Sequence, residues 1–465
     1  MTSPRTNRDA AGLPLLPAGF RFGTSDSAHQ TEGAVDVDGR GRTIWDTFAE
    51  TPGRIDRGET GARGADSYRR WPEDVALLRD LGVTSHRFSV AWSRVVPEGR
   101  GAVNTRGLDH YDRYVDALLE AGVEPMLTLY HWDLPQALED DGGWLNRATA
   151  EAFAEYAGVV AERLVDRVAH WIPVNDPNVA SILGYGMGSH APGKRLVFDC
   201  LPAAHHMLLG HGLATQVLRA AGATSVGSAT NHAPVWPRSD EPEDTGASKL
   251  FDMLWNGAFA EPILLGRYPF PLLPLLDDVL RPGDLATIRQ PLDFYGVNFY
   301  GPVRVGASPE GNEVPFEFRE VLGHEVTDLG WPIVPEALCE WLVMFRARYR
   351  AALPPLMVTE SGCAYDSPVA PDGTVADPQR IAYLDAHLAA VSQAVDRGVD
   401  VRGFHVASLL DNFHWQDGYE PGQGLVHVDR TTNDRTPKQS FDWLKRVLQA
   451  QPDAMNESPD GAATD

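Results

Sequence analysis

Residues 171–177 read Trp-Ile-Pro-Val-Asn-Asp-Pro, and residues 356–362 read Leu-Met-Val-Thr-Glu-Ser-Gly. Each stretch begins as a short apolar run, which is typical of a buried strand, and then carries a single carboxylate, Asp176 in the first and Glu360 in the second. Cleavage of a glycosidic bond needs two such groups: an acid that protonates the leaving oxygen, and a carboxylate that attacks or stabilises the sugar carbon. The pair therefore indicates glycosidic-bond chemistry.

Short β-rich runs of this kind recur along the chain and alternate with segments whose apolar residues have helical spacing. Eight runs are predicted as strands: Phe20–Gly23, Ser85–Val90, Pro125–Leu129, Trp171–Val174, Val226–Ala229, Phe294–Phe299, Leu356–Val358 and Val401–Val406. Strands that alternate with helices form parallel sheets, and eight such units predict an α/β fold, a single closed (β/α)8 TIM barrel. Reactive residues in such barrels lie at the C-terminal ends of strands, where Asp176 and Glu360 fall, after the fourth and seventh runs.

The barrel is expected to form one domain over residues 15–450. The polar ends are predicted to be disordered tails, at residues 1–14 and 451–465. Long loops on a barrel usually carry function, so three insertions are predicted to build the substrate cleft, at residues 34–65, 234–248 and 304–327.

The composition is that of an ordinary globular protein, with 43% hydrophobic, 9% aromatic and 22% charged residues. The formal charge is −24, from 64 acidic against 40 basic residues, and only four of the basic residues are lysines. Binding to a phosphate backbone needs a concentrated basic surface, which this chain lacks. The charge therefore argues against nucleic acid as a partner.

No apolar run is long enough to span a membrane, and residues 1–14 lack the apolar core of a secretory signal. We therefore expect no membrane partner and a cytoplasmic location. The cysteines Cys200, Cys339 and Cys363 have neither the spacing of metal ligands nor that of a disulfide framework, and no metal site is predicted. The sequence leaves the oligomeric state open.

A series of motifs, in order, resembles glycoside hydrolase family 1, the β-glucosidase-like barrels, over residues 20–443. The motifs are Gln-Thr-Glu-Gly at 30–33, Ile-Trp-Asp at 44–46, Arg-Phe-Ser at 87–89, Trp-Ser-Arg at 92–94, Thr-Leu-Tyr-His-Trp-Asp-Leu-Pro-Gln at 128–136, His-Ala-Pro-Gly at 190–193, Asp-Phe-Tyr-Gly-Val-Asn-Phe-Tyr at 293–300 and Leu-Asp-Asn-Phe at 410–413. The resemblance implies a barrel that cleaves β-linked glycosides with retention through a covalent intermediate.

By this resemblance Glu360, in Thr-Glu-Ser-Gly, matches the nucleophile of the family, whose usual setting is Thr-Glu-Asn-Gly. A glutamate that ends a buried strand needs partners, and Arg87 and Tyr300 are expected to hold it ionised and aimed. Asp176, in Asn-Asp-Pro, matches the general acid/base of the family, which usually reads Asn-Glu-Pro.

The aspartate at position 176 shortens the acid by one methylene, which withdraws its carboxyl group by about 1.5 Å. Retaining enzymes hold their two carboxyl groups about 5 to 5.5 Å apart, so the change matters for catalysis. Three alternatives follow: the backbone restores the reach, the protein prefers good leaving groups or transfers sugars, or it is catalytically weak or silent.

The residues implied to bind the substrate, which also include Tyr300 and Trp415, are partly kept and partly changed. Four match family residues that hydrogen-bond or stack on the glycone: Gln30, His131, Trp132 and Asn175. Asn175 matches the residue next to the 2-hydroxyl, and Trp331 matches the tryptophan that stacks on the aglycone.

The region after the eighth run departs from the family pattern Trp-Ser-Leu-x-Asp-Asn-Phe-Glu-Trp. The glutamate that grips the 4- and 6-hydroxyls is His414 here, its neighbour Trp415 is kept, and a stacking tryptophan is Ala407. Gln423 stands where an aromatic residue is usual. A neutral imidazole cannot match the charge-assisted bonds of a carboxylate, so plain glucose is expected to bind less well than in a typical member. The changes suggest a glycone that is larger, lacks a 6-hydroxyl, or carries a substituent or acid at C4 to C6.

The sequence predicts a retaining β-glycosidase that acts on a small-molecule glycoside or oligosaccharide and needs no cofactor or metal. Two alternatives remain: a transglycosidase or dedicated deglycosylase of a small-molecule glycoside, and a catalytically silent sugar-binding barrel.

Overall fold

The computed structural model describes residues 8–452. In this part of the chain the strands are β1 Arg21–Ser25, β2 Ser85–Ser89, β3 Glu124–Tyr130, β4 His170–Val174, β5 Gly227–Asn231, β6 Val235–Pro237, β7 Phe294–Asn298, β8 Val303–Ala307, β9 Phe316–Arg319, β10 Leu356–Ser361, β11 Val401–Val406, β12 Val426–Val428 and β13 Arg435–Pro437. The α-helices are α1 Ala28–Thr31, α2 Ile44–Glu50, α3 Ser67–Leu81, α4 Trp92–Val95, α5 Thr105–Glu120, α6 Gln136–Asp140, α7 Ala148–Leu164, α8 Leu201–Ala221, α9 Pro242–Asp252, α10 Ala258–Leu265, α11 Asp284–Ile288, α12 Pro335–Tyr349, α13 Pro378–Asp396 and α14 Gln439–Gln449.

Eight of the strands form one parallel sheet in the order β4-β3-β2-β1-β11-β10-β7-β5. Two isolated parallel bridges, Trp171 to Val226 and Asn175 to Ala229, join β4 to β5 and close the ring. Each of the eight predicted runs overlaps one of these strands, and the predicted TIM barrel is confirmed.

The barrel is filled by side chains. A separate apolar cluster takes one buried residue from each of five strands: Met126, Ile172, Ala229, Phe294 and Met357. A larger cluster of buried side chains includes residues of the surrounding helices. The packed interior makes the ring a rigid frame for the side chains at its C-terminal end.

Two of the predicted insertions contain a small sheet outside the barrel, which the sequence did not predict. Strand β8 lies between β6, with which it pairs in parallel, and β9, with which it pairs antiparallel. Phe251 of α9 packs against Phe316 and Phe318 of β9, at ring-centroid distances of 5.3 and 5.0 Å. This outer sheet forms part of the cleft described below.

The end of the N-terminal segment lies against the barrel. Arg8 pairs with Asp385 of α13 at 2.8 Å, and a bridge joins Arg8 to Pro14. The rest of the predicted tails, residues 1–7 and 453–465, lies outside the described residues. Among the helices from residue 8 to residue 452, none is long and apolar enough to cross a membrane.

Candidate active site

A cavity of about 490 Å³ opens at the C-terminal ends of the barrel strands. Asp176 and Glu360 both line it, as the sequence predicted from their positions at strand ends. It also contains eight of the nine residues predicted to bind the sugar: Gln30, His131, Trp132, Tyr300, Trp331, His414, Trp415 and Gln423.

Glu360 lies within β10 and has two partners, both of them predicted. The buried guanidinium of Arg87 donates a hydrogen bond to Oε1, and the hydroxyl of Tyr300 donates one to Oε2 at 2.8 Å. Burial and the neighbouring carboxyl groups of Glu360 and Asp176 raise the pKa of Tyr300 well above its usual value, so the phenol keeps its proton and remains a donor. The arginine charge and the two hydrogen bonds stabilise Glu360 as a carboxylate.

Asp176 follows β4 by two residues and is 2% exposed. Burial, first, and then the charge of Glu360 raise its pKa well above the usual value for an aspartate. One of its oxygens, Oδ1, accepts a hydrogen bond from Asn298 at 2.8 Å. The site therefore surrounds one carboxyl group with hydrogen-bond donors and favours the protonated form of the other, a division typical of acid and nucleophile pairs.

Asn298, at the end of β7, hydrogen-bonds Asp176 and also Thr359, the residue before Glu360. Its amide donates to Asn175 Oδ1 at 3.0 Å as well as to Asp176, and its carbonyl oxygen accepts from Thr359 at 2.7 Å. Arg87 also donates to Asn175, at 2.5 Å. Asn298 was not predicted as a site residue, although its place near the end of the sixth predicted run was a signal for it.

Asn175 differs from the other predicted sugar ligands because it does not line the cavity. It is fully buried, and its amide nitrogen donates to Nε2 of His131 at 3.0 Å. Burial, followed by the charge of Arg87, lowers the pKa of His131 well below its usual value. Asn175 thus lies behind the cavity wall and orients His131 and Arg87, and its direct contact with a sugar stays a prediction.

Gln30, in α1, is held by three neighbours. Its carbonyl oxygen accepts from Ser27 at 2.7 Å, and its amide donates to the backbone oxygen of Phe413 at 2.9 Å and to Asn412 at 3.3 Å. The bonds to Phe413 and Asn412 connect Gln30, which is predicted to bind the sugar, to the segment after β11.

An aromatic wall stands on one side of the cavity. Trp415 contacts Trp132 and Trp45, each at a ring-centroid distance of 4.4 Å. Trp132 and Trp415 have φ angles of 76° and 34°, and Asp176 has a φ of 43°. Residues other than glycine rarely adopt such left-handed conformations, and strained backbone of this kind concentrates at functional sites.

The residues that depart from the family pattern lie together on the cavity wall. Nδ1 of His414 is 2.9 Å from Oδ2 of Asp417, and the ring of His414 lies 5.6 Å from that of Trp331. Ala407 and Gln423 line the same cavity. Asp417 was not predicted as a site residue, because an aspartate three residues after a histidine gives no signal of its own.

Asp26 is a further carboxyl group in the cavity wall. Its Oδ1 is buried and has no hydrogen-bond partner among residues 8–452, and Oδ2 accepts a long bond from the backbone of Leu409, at 3.4 Å. Burial raises the pKa of Asp26 to about 8. The folded protein therefore holds this proton at a pH where the unfolded chain releases it.

Asp26→Asn is expected to flatten the dependence of stability on pH. The folded pKa is raised, so wild-type stability falls as the pH rises from the ordinary aspartate range towards 8, and the variant loses this contribution. Melting temperatures at pH 5 and pH 8 test this, with the exposed Asp240→Asn as control. The prediction would be contradicted if the melting temperature fell between pH 5 and pH 8 by the same amount in Asp26→Asn as in Asp240→Asn.

The barrel and its pair of buried carboxyl groups define a glycoside hydrolase. The model of glycosyl hydrolase family 1 matches residues 14–452, and the chain belongs to that family. Within the described residues, no group of three or more histidine, cysteine, aspartate or glutamate side chains is arranged to hold a metal ion.

Several relatives are similar over nearly the whole chain. Thermostable beta-glucosidase B of Thermobispora bispora is 44% identical over 446 residues, which cover 95% of this chain and 92% of the relative. A bifunctional beta-D-glucosidase/beta-D-fucosidase of Bifidobacterium breve is 41% identical over 93% of this chain and 98% of its own. The crystal structure of a psychrophilic beta-glucosidase from Micrococcus antarcticus superimposes with a TM-score of 0.90 at 43% identity, covering 94% of this chain and 98% of that structure.

Proposed function

We propose that this glycoside hydrolase is a retaining β-glycosidase in which Glu360 is the nucleophile and Asp176 the acid/base. The observation that carries the proposal is the contrast between the two carboxyl groups in one cavity. Arg87 and Tyr300 stabilise Glu360 as a carboxylate, while burial and the charge of Glu360 favour the protonated form of Asp176.

In the first step Glu360 attacks the anomeric carbon while Asp176 gives its proton to the leaving oxygen. The glycosidic C–O bond breaks, a glycosyl ester forms on Glu360, and the aglycone leaves as an alcohol. Esterification removes the charge of Glu360, which is one cause of the raised pKa of Asp176, so that pKa falls. Asp176 then accepts a proton from water, and the resulting attack on the ester releases the sugar with retained configuration.

The shorter acid is compatible with this scheme because Asp176 reaches the cavity wall. Its left-handed φ and the hydrogen bond from Asn298 fix the direction of the carboxyl group. The test is hydrolysis of a panel of aryl β-glycosides (glucoside, galactoside, fucoside, xyloside and glucuronide), each with an activated and a poor leaving group. Turnover of both kinds supports a working acid, and turnover of activated substrates alone favours transfer chemistry. If no glycoside of the panel is hydrolysed, the result favours an unusual glycone or the sugar-binding alternative.

We also propose that His414 accepts a hydrogen bond from one hydroxyl of the glycone. The carboxylate of Asp417 can only accept a hydrogen bond, so Nδ1 of His414 is the donor of that bond, and the tautomer that carries this proton has Nε2 as an acceptor. Nε2 has no hydrogen-bond partner among the described residues. A single imidazole nitrogen offers less to a sugar than the two charged oxygens of a glutamate, which favours sugars with fewer hydroxyls at this end.

His414→Glu is expected to raise the ratio of kcat/KM for the β-glucoside over the β-xyloside by about tenfold. The two sugars differ only in the hydroxymethyl group at C5, and a glutamate adds charge-assisted acceptors for its hydroxyl. Steady-state kinetics with a shared aryl leaving group measure the ratio, with the exposed His324→Glu as control. An unchanged ratio in His414→Glu would show that position 414 does not contact this end of the sugar.

A further inference from the structure

The outer half of the cavity differs in chemistry from the half that holds the carboxyl groups. It is built from the helical segment after β4, the end of α9 and the segment that follows it, the outer sheet, and the loop before Trp331. The side chains that it contributes are mostly apolar: Val179, Leu183, Phe251, Trp255, Val303, Phe318 and Leu329.

Polar groups are scarce in this outer wall. Asn231 is the polar residue among those that β5 and the outer sheet place in the cavity, and its carbonyl oxygen already accepts a hydrogen bond from Nε1 of Trp255 at 3.1 Å. The cavity as a whole is lined by neither lysine nor arginine. A second sugar bound here would lose hydrogen bonds from water to several hydroxyl groups and regain few, which weakens binding.

The aromatic rings of the outer wall form a surface suited to a flat group. Phe251 and Trp255 stack with their planes 19° apart at a centroid distance of 5.7 Å, and Phe318 meets Phe251 edge to face. Phe318 is 49% exposed, so its ring can gain contacts from a ligand. At the inner end, Trp331 lies 4.9 Å from Tyr300, which binds Glu360. The apolar surface thus continues to the reacting carboxyl groups.

We propose that the apolar outer wall of the cavity selects flat aglycones, so that the preferred substrates are aryl or arylalkyl β-glycosides rather than oligosaccharides. The proposal rests on the proposed function, because it places the bond to be cleaved between this site and the sugar held near Glu360. Burial of an aromatic ring against Phe318 and Trp255 supplies the binding energy, and Phe318 of β9 is a specificity-determining residue.

The test compares two substrates that share the glycone identified by the panel. One is the benzyl β-glycoside, and the other is the disaccharide in which the same glycone is linked 1→4 to glucose. Benzyl alcohol is no better a leaving group than a sugar hydroxyl, so a preference for the benzyl compound reports binding. We expect kcat/KM to be at least about tenfold higher for the benzyl glycoside, chiefly through a lower KM.

Phe318→Ser is expected to reduce that preference about fivefold, with little change for the disaccharide. The matched control is Leu322→Ser, because Leu322 follows β9, is 62% exposed and does not line the cavity. Equal values of kcat/KM for the two substrates, or the same preference in both variants, would overturn the proposal.

A binding measurement separates this proposal from the proposed function. Titration calorimetry with 2-phenylethanol measures binding to the aglycone site without turnover. Binding that Phe318→Ser weakens and Leu322→Ser leaves intact would support the site even if no glycoside were cleaved. Absence of binding to the wild-type protein would overturn it even if Glu360 and Asp176 proved catalytic.

Discussion

Glu360→Ala is expected to lower kcat by at least about 10⁴-fold on every glycoside that the wild-type protein cleaves. The variant lacks the atom that attacks the sugar, while the Arg87 and Tyr300 donors remain to hold an added anion. Steady-state kinetics with an activated aryl β-glycoside measure the loss. Azide should restore part of the rate and give an α-glycosyl azide, because it attacks from the face that Glu360 occupied.

The control for this variant is Glu325→Ala, an exposed glutamate in the loop before Trp331, which should retain wild-type kinetics. Circular dichroism of Glu360→Ala shows whether the barrel is kept. Wild-type turnover by a folded Glu360→Ala protein would disprove the assignment of the nucleophile.

Asp176→Asn is expected to lower kcat/KM by about 10²- to 10⁴-fold for glycosides with poor leaving groups, and much less for activated ones. Only a poor leaving group needs the proton. In the wild-type protein kcat/KM should fall on the alkaline side as Asp176 ionises. Because its pKa is raised, this fall should come well above the range of an ordinary aspartate. The Asp176→Asn variant should lack this alkaline fall in kcat/KM.

Profiles of kcat/KM against pH for one activated and one poor substrate test this prediction, with Asp240→Asn as the control variant. An equal loss on both substrates would assign Asp176 a role in positioning rather than proton transfer. An alkaline limb that persists in Asp176→Asn would assign the limb to another group, of which Asp26 is the first candidate.

The sequence predicted the barrel because its strands are local apolar runs whose type and order suffice to define the fold. Glu360 and Asp176 were placed correctly at strand ends by the same local signal, and the contact of Arg87 with Glu360 followed from the need of a buried charge for a partner. Such predictions need no knowledge of which loops meet.

The features that escaped prediction depend on contacts between distant segments. The outer sheet pairs β6 with β8, which are separated by some sixty residues and carry no strong strand pattern. Asp417 is identified as a site residue only by its contact with His414 in the folded loop. Asn175 carries the right motif, but its amide is already engaged by Arg87 and His131, which a pattern of residues cannot show.

The closure of the barrel has a consequence for how the protein inactivates. Strands β4 and β5 are joined by two isolated bridges, whereas the other neighbours in the ring pair over three to five residues. The backbone amide of Asp176 donates to Ala229 across this seam, at 2.9 Å. Fraying of the seam would carry Asp176 away from Glu360 while the rest of the sheet stays paired. We therefore expect loss of catalysis on warming and loss of the fold to be separable events in this molecule.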